Sequence, residues 1–326
     1  MKEHNKEPSS TFTYIAIDVA KLSLQIQDPQ KAFELKNSPQ GFNRLIKRIR
    51  VLQEASLRPV LVVCEASGGY ERELLQVLDH NRIARARICA DRLRAFANTE
   101  GVRAKSDPID ARLLLRFAQE KQLQANVPGE PVQLELTALV DRRTQLVDSR
   151  AREQTRLQNS PRIIHQSLKR QIKVMEKEIS RIERQISELI DSNARLSSAA
   201  AALGNITGVG PVATWSILAY IPELPQISRN QAVSLAGLAP WRKQTGTTES
   251  PRHLSGGRAK LRKALYMPTL AGIRHNPHLA QFYHRRVSEG LPKMSALVAS
   301  MRKLLIYIRS ILIKNEIQLS SHSTLA

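Results

Sequence analysis

Tyr14-Ile15-Ala16-Ile17 runs directly into Asp18, and an apolar segment that ends on an acid reads as a buried β-strand with a carboxylate at its exit. Leu22, Leu24 and Ile26 then alternate with polar residues, so residues 12–28 as a whole read as strand. Working outward, Asn37 to Glu54 carries Phe42, Leu45, Ile46, Ile49 and Leu52 at helical spacing. Pro59 opens a second apolar strand, Val60 to Cys64, which again meets an acid, Glu65. Beyond Gly68-Gly69 a helix is expected through Leu74, Leu75 and Leu78, then a short strand around Ile83 to Cys89. Strand and helix in alternation indicate an α/β layer fold.

From Asp107 to Gln124 the pattern is helical through Ile109, Leu113, Leu114 and Phe117. Val127-Pro128-Gly129-Glu130-Pro131 reads as a linker, because two prolines and a glycine cannot continue a helix. Further on, Leu168, Ile172, Met175, Ile179, Ile182, Ile186 and Leu189 repeat at spacings of four and three, the pattern of a coiled-coil seam. Pairing between chains is the favoured reading. A helical hairpin on its own chain, turning at Asn159-Ser160-Pro161, is the alternative. A third region starts near Ser197, and its Ile206-Thr207-Gly208-Val209-Gly210-Pro211 has the form of a helix-hairpin-helix turn. A plain helix–helix corner competes with it. The expected division is 1–126, 132–195 and 196–326, the last mainly α.

The 326 residues suffice for two or three domains, and 42% hydrophobic with 24% charged residues indicates a soluble globular protein. Fifty Lys and Arg against 29 Asp and Glu leave +21, a field that draws polyanions such as a phosphate backbone. Charge does not separate DNA from RNA. Cys64 and Cys89 make neither a disulfide framework nor a metal-type spacing, and Cys64 inside its apolar run reads as a buried thiol. No apolar run is long enough to span a bilayer, and Met1 to Ser10 has no signal-peptide character. A cytoplasmic protein without a membrane partner is expected.

Asp18 and Glu65 each close a strand, where side chains leave the sheet and can converge. Asp107 and Asp110 stand three apart at a helix start and project from one face. An acid there can simply cap a helix, the more so for Asp107 before Pro108. Four carboxylates brought together repel, so they call for hard cations such as Mg²⁺ or Mn²⁺. Two such ions activate a nucleophile and stabilise the leaving oxygen of a phosphodiester.

The segments Ile15-Ala16-Ile17-Asp18-Val19-Ala20-Lys21, Cys64-Glu65-Ala66-Ser67-Gly68-Gly69-Tyr70 and Lys105-Ser106-Asp107-Pro108-Ile109-Asp110-Ala111-Arg112 resemble the DEDD motifs of the IS110 insertion-sequence transposases, a family that includes the Piv/MooV pilin-gene invertases. Leu235-Ala236-Gly237-Leu238-Ala239-Pro240 and Gly256-Gly257-Arg258 extend the resemblance toward the C-terminus. It implies a RuvC-like, ribonuclease-H-like N-terminal domain, a coiled-coil middle and a C-terminal transposase domain. It also implies recombination of donor and target DNA with a structured guide ("bridge") RNA. The coiled coil offers a route to a dimer, and exchange of two strands needs more than one active site, so a homo-oligomer, dimer or tetramer, is expected.

The same resemblance implies a nucleophilic serine followed by glycine after the Ala-Gly-Leu-x-Pro run. Here that position reads Gln244-Thr245-Gly246, which makes Thr245 the matching residue. Threonine keeps the hydroxyl, while its methyl restricts χ1. Thr247, Thr248, Ser250 or Ser255 could instead have taken over, or this copy is impaired. Thr245 and the carboxylates fall in different domains, so joint action requires docking within one chain or between subunits. Lys105, Arg252, Arg258, Lys260, Arg262 and Lys263 are the expected phosphate contacts. The alternative function is a metal-dependent Holliday-junction resolvase or nuclease using water. A nucleic-acid-binding protein with a degenerate site is the non-enzymatic one.

Overall fold

A computed structural model describes residues 11–56, 58–100, 107–126, 130–241, 244–245, 248–249, 253–254 and 256–323. They fall into two compact units, Met1–Pro128 and Gly129–Ala326.

The first unit runs β1 (Thr13–Val19), β2 (Ser23–Gln27), β3 (Ala32–Lys36), α1 (Pro39–Ala55), β4 (Val60–Glu65), α2 (Arg72–His80), β5 (Ala84–Ile88), α3 (Ala90–Thr99) and α4 (Asp107–Glu120). Its sheet is ordered β3-β2-β1-β4-β5. The β1, β4 and β5 strands are parallel, and β2 and β3 join antiparallel. β1 is central and has apolar side chains on both faces, as expected where helices cover a sheet on each side. Its period of two separates them cleanly. Ile15, Ile17 and Val19 pack with Val60, Val62 and Cys64 against Phe42, Leu45 and Ile49 of α1 and Leu74 and Leu78 of α2. Tyr14 and Ala16 face the other way, joining Leu61 and Val63 against Phe96 of α3 and Leu113, Leu114 and Phe117 of α4.

Residues 12–28 are therefore a hairpin and not one strand. Ala20 N–H donates to Ser23 O at 2.9 Å and closes the turn. Leu22, counted in the alternation, lies 77% exposed in that turn. The α/β expectation holds for this unit, and the β3 strand and α3 helix are additions to it. Of the expected linker, residues 127–129 lie outside the described residues.

The second unit comprises α5 (Pro131–Asn159), α6 (His165–Asp191), α7 (Ala194–Gly204), α8 (Pro211–Tyr220), α9 (Arg229–Leu235), α10 (Ala259–His275), α11 (Pro277–Ser288) and α12 (Lys293–Ser323), with small two-residue strands between α9 and α10. The α5 and α6 helices pack on one another as a hairpin. Leu168, Ile172, Ile179, Ile182 and Ile186 are buried within this chain. Arg143 Nε on α5 donates to Glu183 Oε1 on α6 at 2.8 Å. Ile179, Ile182 and Ile186 of the seam read as intermolecular pack within this chain, in one core with Leu136, Val140 and Leu146 of α5. Those residues share one core with Ile217, Leu265 and Leu305.

The turn after α7 is a packed corner. Gly208 has φ +95°, and a Cβ there would lie 2.8 Å from Gly272 N and 2.9 Å from Pro268 O of α10. Close approach as well as backbone conformation demands glycine.

Candidate active site

Ile17 pairs with Cys64 in the parallel β1–β4 register. The next residues, Asp18 and Glu65, therefore stand side by side at the carboxyl ends of adjacent strands. By the period of two, Asp18 belongs to the face of Tyr14 and Ala16, and Glu65 to that of Leu61 and Val63. This is the face that α3 and α4 cover. Both carboxylate residues are half-buried. Cys64, one residue earlier, points into the opposite core, where burial, with the Glu71 charge adding to it, pushes its thiol up to about 12. It is no nucleophile at neutral pH.

Asp107 and Asp110 lie in the first turn of α4, and their side chains fall outside the described residues. The far end of that helix is anchored: Tyr14 Oη at the start of β1 donates to Leu123 O at 3.1 Å. The helix packs against β1, β2 and β4. Among the described residues no group of three His, Cys, Asp or Glu forms a metal cluster. The donors that are placed, Asp18 and Glu65, carry only hard carboxylate oxygens and suit a hard divalent cation.

The loop after Glu65 is held by a carboxylate that sequence reading passed over. Glu71 is fully buried. Its Oε2 accepts from Gly69 N at 2.9 Å, Ser67 Oγ at 3.1 Å and Ser67 N at 3.2 Å, and its Oε1 accepts from Arg87 Nε at 2.8 Å. Burial opposes its ionisation, but the backbone N–H donors and Arg87 outweigh it and hold the carboxyl below the usual range. A lone Glu in sequence carries no such signal. Its function comes from Ser67, Gly69 and Arg87 converging on it.

In the second unit, Gln244–Thr245 pairs with Thr248–Glu249, setting Thr245 opposite Thr248. Pro240–Trp241 pairs with His253–Leu254. At the base of this excursion Gly237 and Gly257 meet: a Cβ on Gly257 would come 2.3 Å from Gly237 N. Arg262 Nη1 donates to Gly256 O at 2.9 Å, and Arg258 N–H donates to Leu235 O at 2.6 Å. The Gly-rich motifs thus close the loop that carries Thr245. The Thr245 side chain, Lys105, Arg252 and the alternative hydroxyls of Thr247, Thr248, Ser250 and Ser255 lie outside the described residues.

The other expected phosphate contacts already have protein partners. The Arg258 guanidinium pairs with Glu223 and donates to Tyr220 O at 2.6 Å. Lys260 Nζ meets Asp141 at 2.6 Å, and Lys263 Nζ meets Asp148 at 3.1 Å. Tyr220 donates to the same Asp141 oxygen at 2.9 Å, and burial together with that carboxylate raises its phenol pKa.

Two transposase family models match the chain, a DEDD-type IS110 transposase over residues 15–164 and the Transposase IS116/IS110/IS902 family over residues 200–284. Pilin gene-inverting proteins of Moraxella lacunata and Moraxella bovis are each 26% identical over 313 residues, spanning 93% of this chain and 96% of theirs. Among the described residues no helix is long and apolar enough to cross a membrane. The two models take in the strands that carry Asp18 and Glu65, the first turn of α4 and the loop of Thr245, and with the near-full-length relatives they make this chain a member of the IS110 transposase family, a DNA-recombining enzyme.

Proposed function

We propose that the first unit is a RuvC-like, ribonuclease-H-like domain whose Asp18, Glu65, Asp107 and Asp110 form a DEDD centre for cutting and rejoining an insertion element's DNA. The single observation that carries this is the Ile17–Cys64 register, which sets Asp18 and Glu65 side by side on the face that α4 covers. The sheet order β3-β2-β1-β4-β5, with only β2 reversed between β1 and β3, supports the fold reading. Placement of α4 supports the tetrad. Its C-terminal end sits at Tyr14, and a helix of 14 residues spans about 21 Å. From Tyr14 to Asp18 is only about 13 Å along the strand. Asp107 and Asp110 thus begin the end of α4 remote from Tyr14.

Mg²⁺ or Mn²⁺ held by these four residues would stabilise charge on phosphodiester oxygens and lower the pKa of an oxygen nucleophile. The protein's own part is to fix two carboxylates on rigid strand ends and to hold the following loop through Glu71.

Thr245 is the proposed hydroxyl nucleophile. Its Oγ1 forms a bond to phosphorus while a phosphorus–oxygen bond of the DNA strand breaks. The hydroxyl proton goes to a base, and the released strand oxygen takes one up. Lys260 and Lys263 hold exposed ion pairs, worth less than about 1 kcal/mol each, which a phosphate can displace. Arg258 and Arg262 keep the loop base, and Lys105 and Arg252 complete the proposed contacts. The full reading has donor and target DNA, a structured guide RNA and a homo-oligomer as partners, in the cytoplasm, where both thiols remain free.

The test is denaturing electrophoresis of the protein with labelled element-end DNA and Mg²⁺. A denaturation-resistant protein–DNA adduct that Thr245→Ala abolishes and Thr245→Ser preserves is the expected result. Cleavage without any adduct, undiminished in Thr245→Ala, would replace transfer by hydrolysis of the resolvase kind.

A further inference from the structure

From residue 250 to residue 315 the chain carries thirteen Lys and Arg and a single carboxylate, Glu289. Nearer the loop base the cations find acids from elsewhere, as Lys260 and Lys263 do on α5. On α11 and α12 they do not. Arg285 and Arg286 share Glu289, at 3.6 and 2.8 Å. Among the described residues Lys303 has no carboxylate partner.

All three cations gather on one ring. Lys303 Nζ stands 4.5 Å from the Phe282 centroid, and the Arg285 and Arg286 guanidinium carbons stand 5.6 Å from it. Phe282 is half-buried and opens with His278, Gln281, Arg285 and Lys303 onto a cleft of about 150 Å³. Arg286 Nε is buried with no hydrogen-bond partner among the described residues. Three like charges on one ring repel, and one shared acid leaves them two charges in excess. Cation–π attraction offsets part of this, at roughly 0.5–1 kcal/mol for exposed contacts. An anion with several oxygens would answer the rest.

We infer that the α11–α12 cleft at Phe282 binds consecutive phosphodiesters of a nucleic-acid strand, a contact separate from the carboxylate centre and from the Thr245 loop. It rests on the reading that the chain handles nucleic acid as a transposase. Arg285 and Lys303 give the contacts, Arg286 adds its charge from behind the ring, and Phe282 holds the cations in place.

Binding of full-length protein to labelled duplex DNA and to single-stranded RNA, measured across a salt series, tests it. Arg285→Gln with Lys303→Gln, both at exposed positions, should weaken binding about tenfold and reduce the log–log salt slope by nearly 2 for duplex DNA. Loss on DNA alone, RNA alone or both assigns the strand. Unchanged affinity and slope on both overturns the site. So does an equal loss from Arg44→Gln with Lys47→Gln, which removes the same charge from exposed α1. Displacement of DNA by inorganic phosphate at matched ionic strength, confined to the wild type, would assign the cleft to the free ion and overturn the nucleic-acid assignment. The Mg²⁺-dependent rise in Tm of the same variant reports the carboxylate centre separately, so failure there is distinguishable from failure here.

Discussion

Tyr14 Oη and the Leu123 carbonyl are 109 residues apart in sequence and 3.1 Å apart in space, which ties the start of the central strand to the end of the helix that begins at Asp107. Tyr14→Phe removes this bond and leaves the ring. The expected loss is about 0.5–1.5 kcal/mol of unfolding free energy, read from urea denaturation of full-length protein. A midpoint equal to wild type would mean that the bond adds nothing to the docking of α4.

Asp18 beside Glu65 predicts a response to divalent ions. Mg²⁺ should raise the Tm of the wild type more than that of Asp18→Asn, since an ion bound only to the native state stabilises it by mass action. DNA cleavage should fall by about a hundredfold or more, the scale seen on removing one key electrostatic group, with DNA binding retained. Differential scanning fluorimetry with and without Mg²⁺ checks the difference, and an identical Mg²⁺ response in Asp18→Asn would remove Asp18 from the proposed metal centre.

Glu71 predicts a pH dependence. Its carboxyl pKa is held below the usual range in the folded state, so the stability it contributes is fully present above the unfolded-state value. That contribution is lost as pH falls through the folded value. Glu71→Gln should therefore be less stable than wild type by about 1–3 kcal/mol at neutral pH, below the range for a fully buried pair because Arg87 is half exposed. The gap should narrow below the ordinary glutamate range. Urea midpoints of both proteins from neutral to acid pH measure it, and a constant gap would deny the ionised pair.

Ile186 is fully buried on α6. Ile186→Ala should cost about 2–5 kcal/mol while leaving the molar mass in solution unchanged, because α5 of the same chain covers it. Light scattering with urea denaturation tests both halves. A change in mass at native stability would return the seam to an interchain role.

Periodicity made the buried stripe of α6 legible, but a stripe of Leu and Ile does not say whose helix fills it. The two strands that carry Asp18 and Glu65 were equally plain, because each apolar run meets an acid near its end. The turn at Leu22 was hidden by an alternation that continued across it by chance. In β3 only Phe33 and Leu35 signal a strand, and in α3 the spacing of Leu93 and Phe96 was the only hint. Contacts such as Lys260 with Asp141 join residues 119 apart, which no local pattern records. The sequence of the basic residues read as phosphate contacts therefore gave no sign of the acids that several of them face.

The first unit is contiguous, from β1 to α4, whereas the core of the second draws on residues from Leu136 to Leu312. On a ribosome the first can close while the second is still being made. At about 5–20 residues per second, the nearly 200 residues that follow take some 10–40 s. During that interval a nascent chain can hold the Asp18 and Glu65 pair before the residues of the Thr245 loop exist.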